Sequence, residues 1–454
     1  MKTKYPELIV ERVSRFIFLS FAIVLVLAGV NGSLIAQSDA NEFVPFENFL
    51  ATTASATPDD YMSQPDSRVK DAASFDEMRR YLLTIYQGVQ AEHSMVEDAQ
   101  YFDCVPVNQQ PTARLLGITE IDSPPAELSA PVGFVNEAAP EPGFDRFGNS
   151  LSCEKGTIPM RRLTLEELTR FATLGDFLLR GRGPVTHNGE SLPPAAGQKR
   201  YATELQRVNN LGTISEISLW DPPVGDGNEF SLAQQWVSGG TGDSLQTIEG
   251  GWIKYPTAFN KSPHSVLFIF YTSNTYKRGF GCYNLECAGF MQTDDSWKLA
   301  GDFPAYSVSG GVQHWFTMEW YFVPNGKGQK NWWLLLKHDN DAKATWVGYY
   351  PEKIFNGGQL SKNADELEYG GETDPAGDTW PAMGSGAFPV AGWTKAAYQS
   401  NIKYTDLDRN VKAVTLKINR QSAFCYLVGM PPVPTVAAWG TYFFFGGPGG
   451  KNCP

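Results

Sequence analysis

The hydrophobic and polar positions divide the chain into a mixed first half and a second half with the periodicity of β-strands. From residue 206 to the end, short apolar runs alternate with polar and glycine-rich turns. Residues 266–271 are continuously apolar, which predicts a strand buried on both faces. The apolar runs at 332–336 and 346–350 flank a polar turn and predict a hairpin. We therefore expect an antiparallel β-sandwich over residues 206–454, in a protein of the mainly β class.

One further strand is predicted by alternation alone. Val414, Leu416 and Ile418 are apolar, and the residues between them are polar. This period of two is typical of a strand with one buried face.

The first half, residues 41–205, combines helix signals with a short strand. Ser74 and Glu77 have the spacing of a capping box and predict a helix start, as do Thr164 and Glu167. The helix after Ser74 carries one apolar face, made of Phe75, Met78, Leu82, Ile85 and Val89. Residues 101–105 predict a strand. A small α+β domain is expected in front of the sandwich.

Three segments of this half have the composition of loops. Residues 41–70 and 121–150 are rich in small residues, proline and acidic residues, which predicts flexible segments. Residues 181–196 are rich in glycine and proline and predict a boundary between the domains.

The first 40 residues have the features of a secretory signal peptide. Lysine and arginine residues precede an apolar run at 16–30, and small residues follow it, with cleavage expected after Ala36 or Ala40. We expect a secreted protein, extracellular or in an acidic exocytic compartment, with no stable membrane association after signal cleavage. Asn260 begins a glycosylation sequon, which is used only if the host glycosylates secreted proteins.

Composition and charge limit the classes of partner. The formal net charge of −12 disfavours a nucleic-acid partner, because phosphate binding needs clustered lysine and arginine. The 44 glycines and 30 prolines agree with a fold that has many turns. A protein with this excess of carboxylates is compatible with activity at mildly acidic pH.

The six cysteines favour disulfides over a metal site. They are Cys104, Cys153, Cys282, Cys287, Cys425 and Cys453. Six cysteines allow fifteen pairings, so their order leaves the connectivity open. The sequence has no CxxC motif and no histidine beside a cysteine pair, so we expect no metal and no cofactor. Disulfides agree with export to an oxidising compartment.

Two glutamates stand beside paired glycines. Glu249 precedes Gly250 and Gly251, and Glu372 follows Gly370 and Gly371. Each glutamate is either a solvated charge or a placed reactive group. If two strands bring them close together, the carboxylates can share a proton in mild acid and activate a water molecule. Other glutamate pairs would fit this chemistry equally well.

Other motifs are explained more simply by local structure. Residues 242–245 spell the nucleophile block of a lipase-like family, but no histidine has the aspartate partner that this chemistry needs. Residues 339–341 could ligate calcium, yet nothing downstream completes the ligand set. Trp252 and Tyr369 are interpreted as core residues or, alternatively, as aromatic walls of a substrate cleft.

Several blocks of the sequence resemble the neprosin family of secreted glutamic peptidases. The blocks occur in the family's order after residue 100, and they are FDCV at 102–105, GTIP at 156–159, FSLAQ at 230–234, IEGGW at 248–252, GCYNL at 281–285, GYYP at 348–351, GGE at 370–372, MGSG at 383–386 and GGPG at 446–449. Gly250 stands where alanine is common in the family, and Thr373 where an aliphatic residue usually follows the second glutamate.

The resemblance implies an activity and a site. Glu249 and Glu372 match the family's two catalytic glutamates, which activate water to cleave peptide or protein substrates, with a preference for cleavage after proline. The blocks at 102–105 and 156–159 are similar to the family's activation-peptide region, which implies that residues 41–205 are the pro-region of a zymogen and mask the site in cis until acid removes them. Trp252 and Tyr369 are candidate contacts for a proline ring.

The resemblance also implies a disulfide pattern, in which Cys104 pairs with Cys153, Cys282 with Cys287, and Cys425 with Cys453.

Two other functions remain as alternatives. A glycoside hydrolase on a similar sandwich would also use two carboxylates. A secreted binding module without catalysis would keep the fold and leave peptides intact. Neither alternative easily explains a first half that resembles a pro-region.

Overall fold

The structure is a computed structural model that describes residues 42–125, 143–180, 199–277, 279–422, 424–434, 436–451 and 453. The predicted signal peptide at 1–40, most of the loop predicted at 121–150 and the boundary predicted at 181–196 lie outside the described residues.

The first half contains short helices and a three-stranded antiparallel sheet in the order β1-β2-β3. The elements are α1 Phe46–Ser55, α2 Pro58–Met62, α3 Ala72–Ile85, β1 Ser94–Glu97, β2 Gln100–Pro106, α4 Pro111–Leu115, β3 Thr157–Arg161, α5 Leu165–Leu168 and α6 Leu174–Leu179. The predicted strand at 101–105 is therefore the core of β2, and the mixed α+β character of this half is confirmed.

Helices α1 and α2 lie in residues 41–70, where composition predicts a flexible lead-in. Phe46 and Phe49 of α1 are buried, and each packs edge-on against Tyr86 with ring centroids 5.6 Å apart. In α2, Thr57 and Asp60 form a capping box. The flexible interpretation of this segment is wrong, because two buried aromatic rings outweigh the surrounding Ala, Ser and Thr.

The two predicted helix starts have different outcomes. Asp71, and not Ser74, caps α3: its side chain accepts a hydrogen bond from the Ser74 backbone N–H at 2.8 Å. The helix therefore begins three residues before the predicted capping box. Thr164 caps α5 as predicted, accepting from the Glu167 N–H at 3.3 Å.

The described residues of the second half fold into two large antiparallel sheets and a two-stranded antiparallel sheet. Its elements are β4 Arg200–Asn210, β5 Gly212–Ser218, β6 Phe230–Gly239, β7 Gln246–Lys254, β8 Val266–Thr272, β9 Gly281–Tyr283, β10 Met291–Gln292, β11 Trp315–Pro324, β12 Lys330–His338, β13 Thr345–Pro351, β14 Ala364–Asp374, β15 Thr379–Trp380, β16 Ala397–Thr405, β17 Val411–Ala413, β18 Lys417–Arg420, β19 Leu427–Gly429, α7 Val436–Trp439, β20 Phe443–Gly446 and β21 Gly450–Lys451. The two-stranded sheet consists of β15 and β21. The buried strand at 266–271 and the hairpin of β12 and β13 are confirmed.

The two large sheets form the predicted sandwich. The seven-stranded sheet has the order β18-β4-β14-β6-β7-β8-β9. The nine-stranded sheet has the order β10-β13-β12-β11-β5-β16-β20-β19, with β17 beside β16. Between them, the Trp252 indole donates to the Ser218 carbonyl at 2.8 Å, and Gln235 donates to Ser215 Oγ at 2.6 Å. Trp252 and Gln235 therefore lie on the side of the seven-stranded sheet that faces the sandwich interior. Their neighbours along each strand point to the other side.

The strand predicted from the alternation of Val414, Leu416 and Ile418 is wrong. β17 ends at Ala413 and pairs with β16, whereas β18 begins at Lys417 and pairs with β4 of the other sheet. The chain crosses between the sheets over these residues, so the apolar positions do not share one buried face, and Ile418 is 56% exposed.

The boundary predicted between residues 205 and 206 falls inside β4. This strand runs from Arg200 to Asn210 and pairs along its length with β14. The sandwich therefore begins by Arg200, a few residues earlier than composition suggests.

The disulfide pairs are those that the resemblance implies. Cys104 is bonded to Cys153, Cys282 to Cys287 and Cys425 to Cys453. Among the described residues, no helix is both long enough and apolar enough to span a bilayer.

Candidate active site

Glu249 and Glu372 lie on one face of the seven-stranded sheet, on the two strands that flank β6. Glu249 of β7 is opposite Trp236 of β6, and Glu372 of β14 is opposite Leu232. Directly opposed residues share a face, and so do residues four apart on one strand. We call this face, which lies opposite the sandwich interior, the site face.

The two glutamates are not directly opposed. The residues opposite them, Trp236 and Leu232, are four positions apart on β6, which is about 13 Å along the strand. This differs from the close carboxylate pair that the sequence alone suggests. The side chain midway between the two positions is Gln234.

Gln234 stands between two residues without side chains. It is opposite Gly251 on one side and Gly370 on the other. A Cβ at Gly251 would collide with the Ala233 carbonyl, and Gly370 has a φ of +138°. Both positions therefore require glycine. The result is a stretch of bare backbone on either side of the Gln234 amide, which a substrate backbone can approach.

The Glu249 carboxylate accepts hydrogen bonds on both oxygens and is fully buried. Thr247 Oγ1 and the Tyr276 hydroxyl each donate to Oε1 at 2.8 Å, and Gln234 Nε2 donates to Oε2 at 3.2 Å. The Tyr276 ring is stacked on Phe270 of β8 at 6.0 Å. These donors hold the carboxylate in one orientation.

The Glu372 carboxylate pairs with a lysine from the chain just before β4. Lys199 Nζ lies 2.6 Å from Glu372 Oε1, and both side chains are largely buried. Asp374 lies on the same face, two residues along β14. Burial raises the pKa of Asp374, the Lys199 ammonium lowers it and the Glu372 charge raises it, so that the resulting pKa is about 6.

A third glutamate on this face has a structural role. Glu368 is directly across Trp236 from Glu249. Its Oε1 accepts from Thr203 at 2.5 Å and from Arg420 at 2.7 Å. The arginine already balances this buried charge, so Glu368 is not available for acid–base chemistry.

Trp252 and Tyr369 do not lie on the site face. Each is three residues from a candidate glutamate, which places it on the opposite side of its strand. The Trp252 indole donates to the Ser218 carbonyl, and the Tyr369 hydroxyl is 2.6 Å from Thr213 Oγ1, both across the sandwich interior. In this structure both side chains are buried in the sandwich interior, as the core interpretation expects, and their contact with substrate stays a prediction.

Sequence reasoning missed four partners of the glutamates, namely Thr247, Gln234, Tyr276 and Lys199. The signal for Gln234 was present, since β6 and β7 form a hairpin whose register brings position 234 beside 251. Tyr276 and Lys199 lie outside strands, so no periodicity marks them.

One group of potential metal ligands occurs among the described residues. His93, Cys104 and Glu154 come close together, but the Cys104 sulfur is bonded to Cys153. A disulfide sulfur is not a thiolate ligand. This group therefore does not make a metal site.

A family model matches the second half of the chain. The neprosin model matches residues 227–448, a span that contains both Glu249 and Glu372. This span is a neprosin domain. The neprosin domain includes β6 to β20, and the family supports a glutamic peptidase that acts on peptides or proteins.

Solved structures of two peptidases are also similar to this chain. Scytalido-glutamic peptidase with a transition state analog inhibitor has 9% sequence identity and a TM-score of 0.32, over 55% of this chain and 98% of that chain. SCP-B, a member of the eqolisin family of peptidases in complex with the tripeptide Ala-Ile-His, has 9% identity and a TM-score of 0.29, with the same coverage.

Proposed function

We propose that this protein is the precursor of a secreted glutamic endopeptidase that uses Glu249 and Glu372. The observation that carries the proposal is the placement of both buried carboxylates on one face of the neprosin domain, with the Gln234 amide between them. Buried carboxylates that face a cleft are frequent acid–base groups of hydrolases.

In the proposed mechanism the substrate peptide lies over Gly251, Gln234 and Gly370. Glu249, held by its three donors, takes a proton from the attacking water. Glu372, protonated in mild acid, gives a proton to the leaving amine. Gln234 Nε2 has two hydrogens: one remains on Glu249, and the other is directed at the oxyanion that forms on the substrate carbonyl. The reaction needs no covalent intermediate and no cofactor.

We further propose that the intact chain is latent. The Lys199 ammonium occupies Glu372 Oε1, and an oxygen held by an ammonium cannot pass a proton to a substrate. Protonation of Asp374 below about pH 6 removes one of the negative charges that hold Lys199. Acid therefore weakens the contact that blocks Glu372.

Processing is expected on the N-terminal side of Arg200. We place the processing site between roughly residues 185 and 212. Cleavage after Arg200 would cut into β4, which pairs with β14 and supports Glu372. Loss of residues from β4 would disturb the position of Glu372, whereas processing is proposed to activate the site.

Two further features come from the sequence: the resemblance implies the first, and the pattern of residues 1–40 indicates the second. The first is a preference for cleavage after proline. The second is secretion, to the extracellular space or an acidic exocytic compartment, by means of a signal peptide at residues 1–40.

The test is to express residues 41–454 and incubate the protein at pH 4 and at pH 7. A quenched peptide with proline at the cleavage position and a matched peptide with alanine are then supplied. We expect loss of the first half and peptide cleavage at pH 4 only, faster for the proline peptide. Intact peptides after complete processing would contradict the proposal and favour a binding module, and turnover of a polysaccharide instead would favour a glycoside hydrolase.

A further inference from the structure

Arg180, the last residue of the first half before the predicted boundary, is held in a fully buried aromatic pocket. Its guanidinium carbon lies 4.3 Å from the Phe177 ring centroid, 4.5 Å from Tyr283 and 5.1 Å from Phe259. Its Nη2 donates to Glu286 Oε2 at 2.6 Å. Stacking on aromatic faces together with a carboxylate partner is a recognition mode that suits a guanidinium group.

The neprosin domain builds most of this pocket. Phe259, Tyr283 and Glu286 all lie within residues 227–448, and Glu286 is part of the short loop closed by the Cys282–Cys287 disulfide. The cations that fill it come from the first half. Arg180 takes one oxygen of Glu286, and Arg161 Nη2 approaches the other at 3.3 Å.

One wall of the pocket, Tyr283, lies on the site face. Tyr283 of β9 is opposite Phe270 of β8, and Phe270 is opposite Glu249 of β7. Directly opposed residues share a face. Tyr283 therefore lies two strands from Glu249, or about 10 Å, a distance that an extended peptide covers in about three residues.

Departure of the first half would leave the pocket without its cations. Glu286 is almost fully buried, and a buried carboxylate without a cation is strongly disfavoured. The vacated pocket then has the Glu286 carboxyl group, two aromatic walls and the dimensions of an arginine side chain, and a bound guanidinium would restore the ion pair that favours the charged carboxylate. Its position relative to Glu249 suits a side chain of the bound substrate.

We propose that Glu286, Phe259 and Tyr283 form an arginine-binding subsite of the peptidase cleft, which Arg180 occupies in the precursor as a substrate mimic. This proposal rests on the proposed function, because it assumes that the first half leaves. Arginine is preferred over lysine, since a planar guanidinium stacks between rings and a compact ammonium does not. The preferred arginine lies about three residues from the cleaved bond.

The first experiment measures selectivity with acid-processed protein. Quenched proline peptides carry either arginine or citrulline, its uncharged analogue, at each of four positions on both sides of the cleaved bond. At one position about three residues away, arginine is expected to raise kcat/KM by about tenfold to 100-fold. Glu286→Gln should remove this ratio by lowering kcat/KM on the arginine peptide to the level of the citrulline peptide. Asp243→Asn, which removes a carboxylate with 94% side-chain exposure, should preserve the ratio.

No arginine preference at any position, or a preference that survives in Glu286→Gln, would overturn the proposal. Cleavage of the citrulline peptide shows that the protein is an active peptidase. Failure of the arginine subsite is therefore distinguishable from failure of the proposed function.

The second experiment does not depend on peptidase activity. A recognition sequence for a specific protease is inserted between residues 181 and 198 of the full chain, and the chain is cut there. An arginine-containing peptide in excess should then displace the first half, as measured by size-exclusion chromatography, and its citrulline counterpart should not. Arg180→Gln should weaken retention of the first half. Equal displacement by both peptides would contradict the subsite, whether or not the protein cleaves peptides.

Discussion

Glu249 and Glu372 emerge from the same face of the seven-stranded sheet but are opposite different residues of β6, Trp236 and Leu232. Because of this offset, neither carboxylate can contact a substrate bond without the Gln234 amide also being close to it. The site is therefore a group of three side chains on three neighbouring strands.

Gln234→Leu should impair catalysis with little effect on stability. The variant loses the donor to Glu249 and the proposed oxyanion donor, so kcat should fall on the order of 10²-fold. Gln235→Leu is a matched control, because the Gln235 side chain lies in the sandwich interior and donates to Ser215. It should lower the melting temperature and leave kcat per folded molecule nearly unchanged. If both variants lower kcat equally, Gln234 has no special role.

Lys199→Gln should shift activation to higher pH. Without the ammonium, Glu372 is no longer blocked, so processing of the precursor should have a higher pH midpoint than in the wild type. Gel analysis after incubation across pH 3.5–7 measures that midpoint. Lys343→Gln changes an exposed lysine and should behave as the wild type. An unchanged midpoint in Lys199→Gln would show that this ion pair does not control latency.

Stability should decrease from mild acid to neutral pH. Burial raises the pKa of Glu204 from 4.5 to about 7. Across this interval the folded protein retains a proton that the unfolded chain has lost, so the free energy of unfolding falls as pH rises. Burial, assisted by a hydrogen bond with Asp98, raises the pKa of Asp302 to about 7 and has the same sign.

Glu204→Gln should flatten this dependence and raise the melting temperature at pH 8 relative to the wild type. Melting temperatures between pH 4 and 8 measure the effect, with Asp243→Asn as an exposed control. A wild-type melting temperature that increases steadily from pH 4.5 to 7 would contradict the assignment.

Trp252→Phe should reduce stability without changing specificity. The variant leaves the buried Ser218 carbonyl without its indole donor, which costs about 1–3 kcal/mol. The ratio of kcat/KM for proline and alanine peptides should not change, since Trp252 faces the sandwich interior. A loss of proline preference at full stability would place the indole in contact with substrate.

Much of the fold follows from local patterns. Continuous apolar runs and a polar turn are enough to predict β8 and the hairpin of β12 and β13, because strand burial has a direct sequence signature. The crossing between β17 and β18 could not be predicted, since alternating residues look the same whether or not they stay in one sheet. Helices α1 and α2 could not be predicted from composition, because the segment is mostly polar or small residues and a few aromatic residues determine its packing.

The site was only partly predictable. The paired glycines and the resemblance identify Glu249 and Glu372, but the register decides which side chains share their face. An offset of three residues moves Trp252 and Tyr369 to the other side of the sheet. Lys199 and Arg180 reach their carboxylate partners through tertiary contacts over more than 100 residues, which no local pattern encodes.

The most direct test compares single glutamate variants of the processed protein. Glu249→Gln and Glu372→Gln should each lower kcat/KM on a proline peptide at pH 4 by about 10³-fold, because each removes a proton-transfer group. Glu368→Gln changes a carboxylate on the same face that is already paired with Arg420, and it should retain activity when folded. If Glu249→Gln or Glu372→Gln, correctly folded and processed, cleaves at the wild-type rate, the two-glutamate mechanism is contradicted.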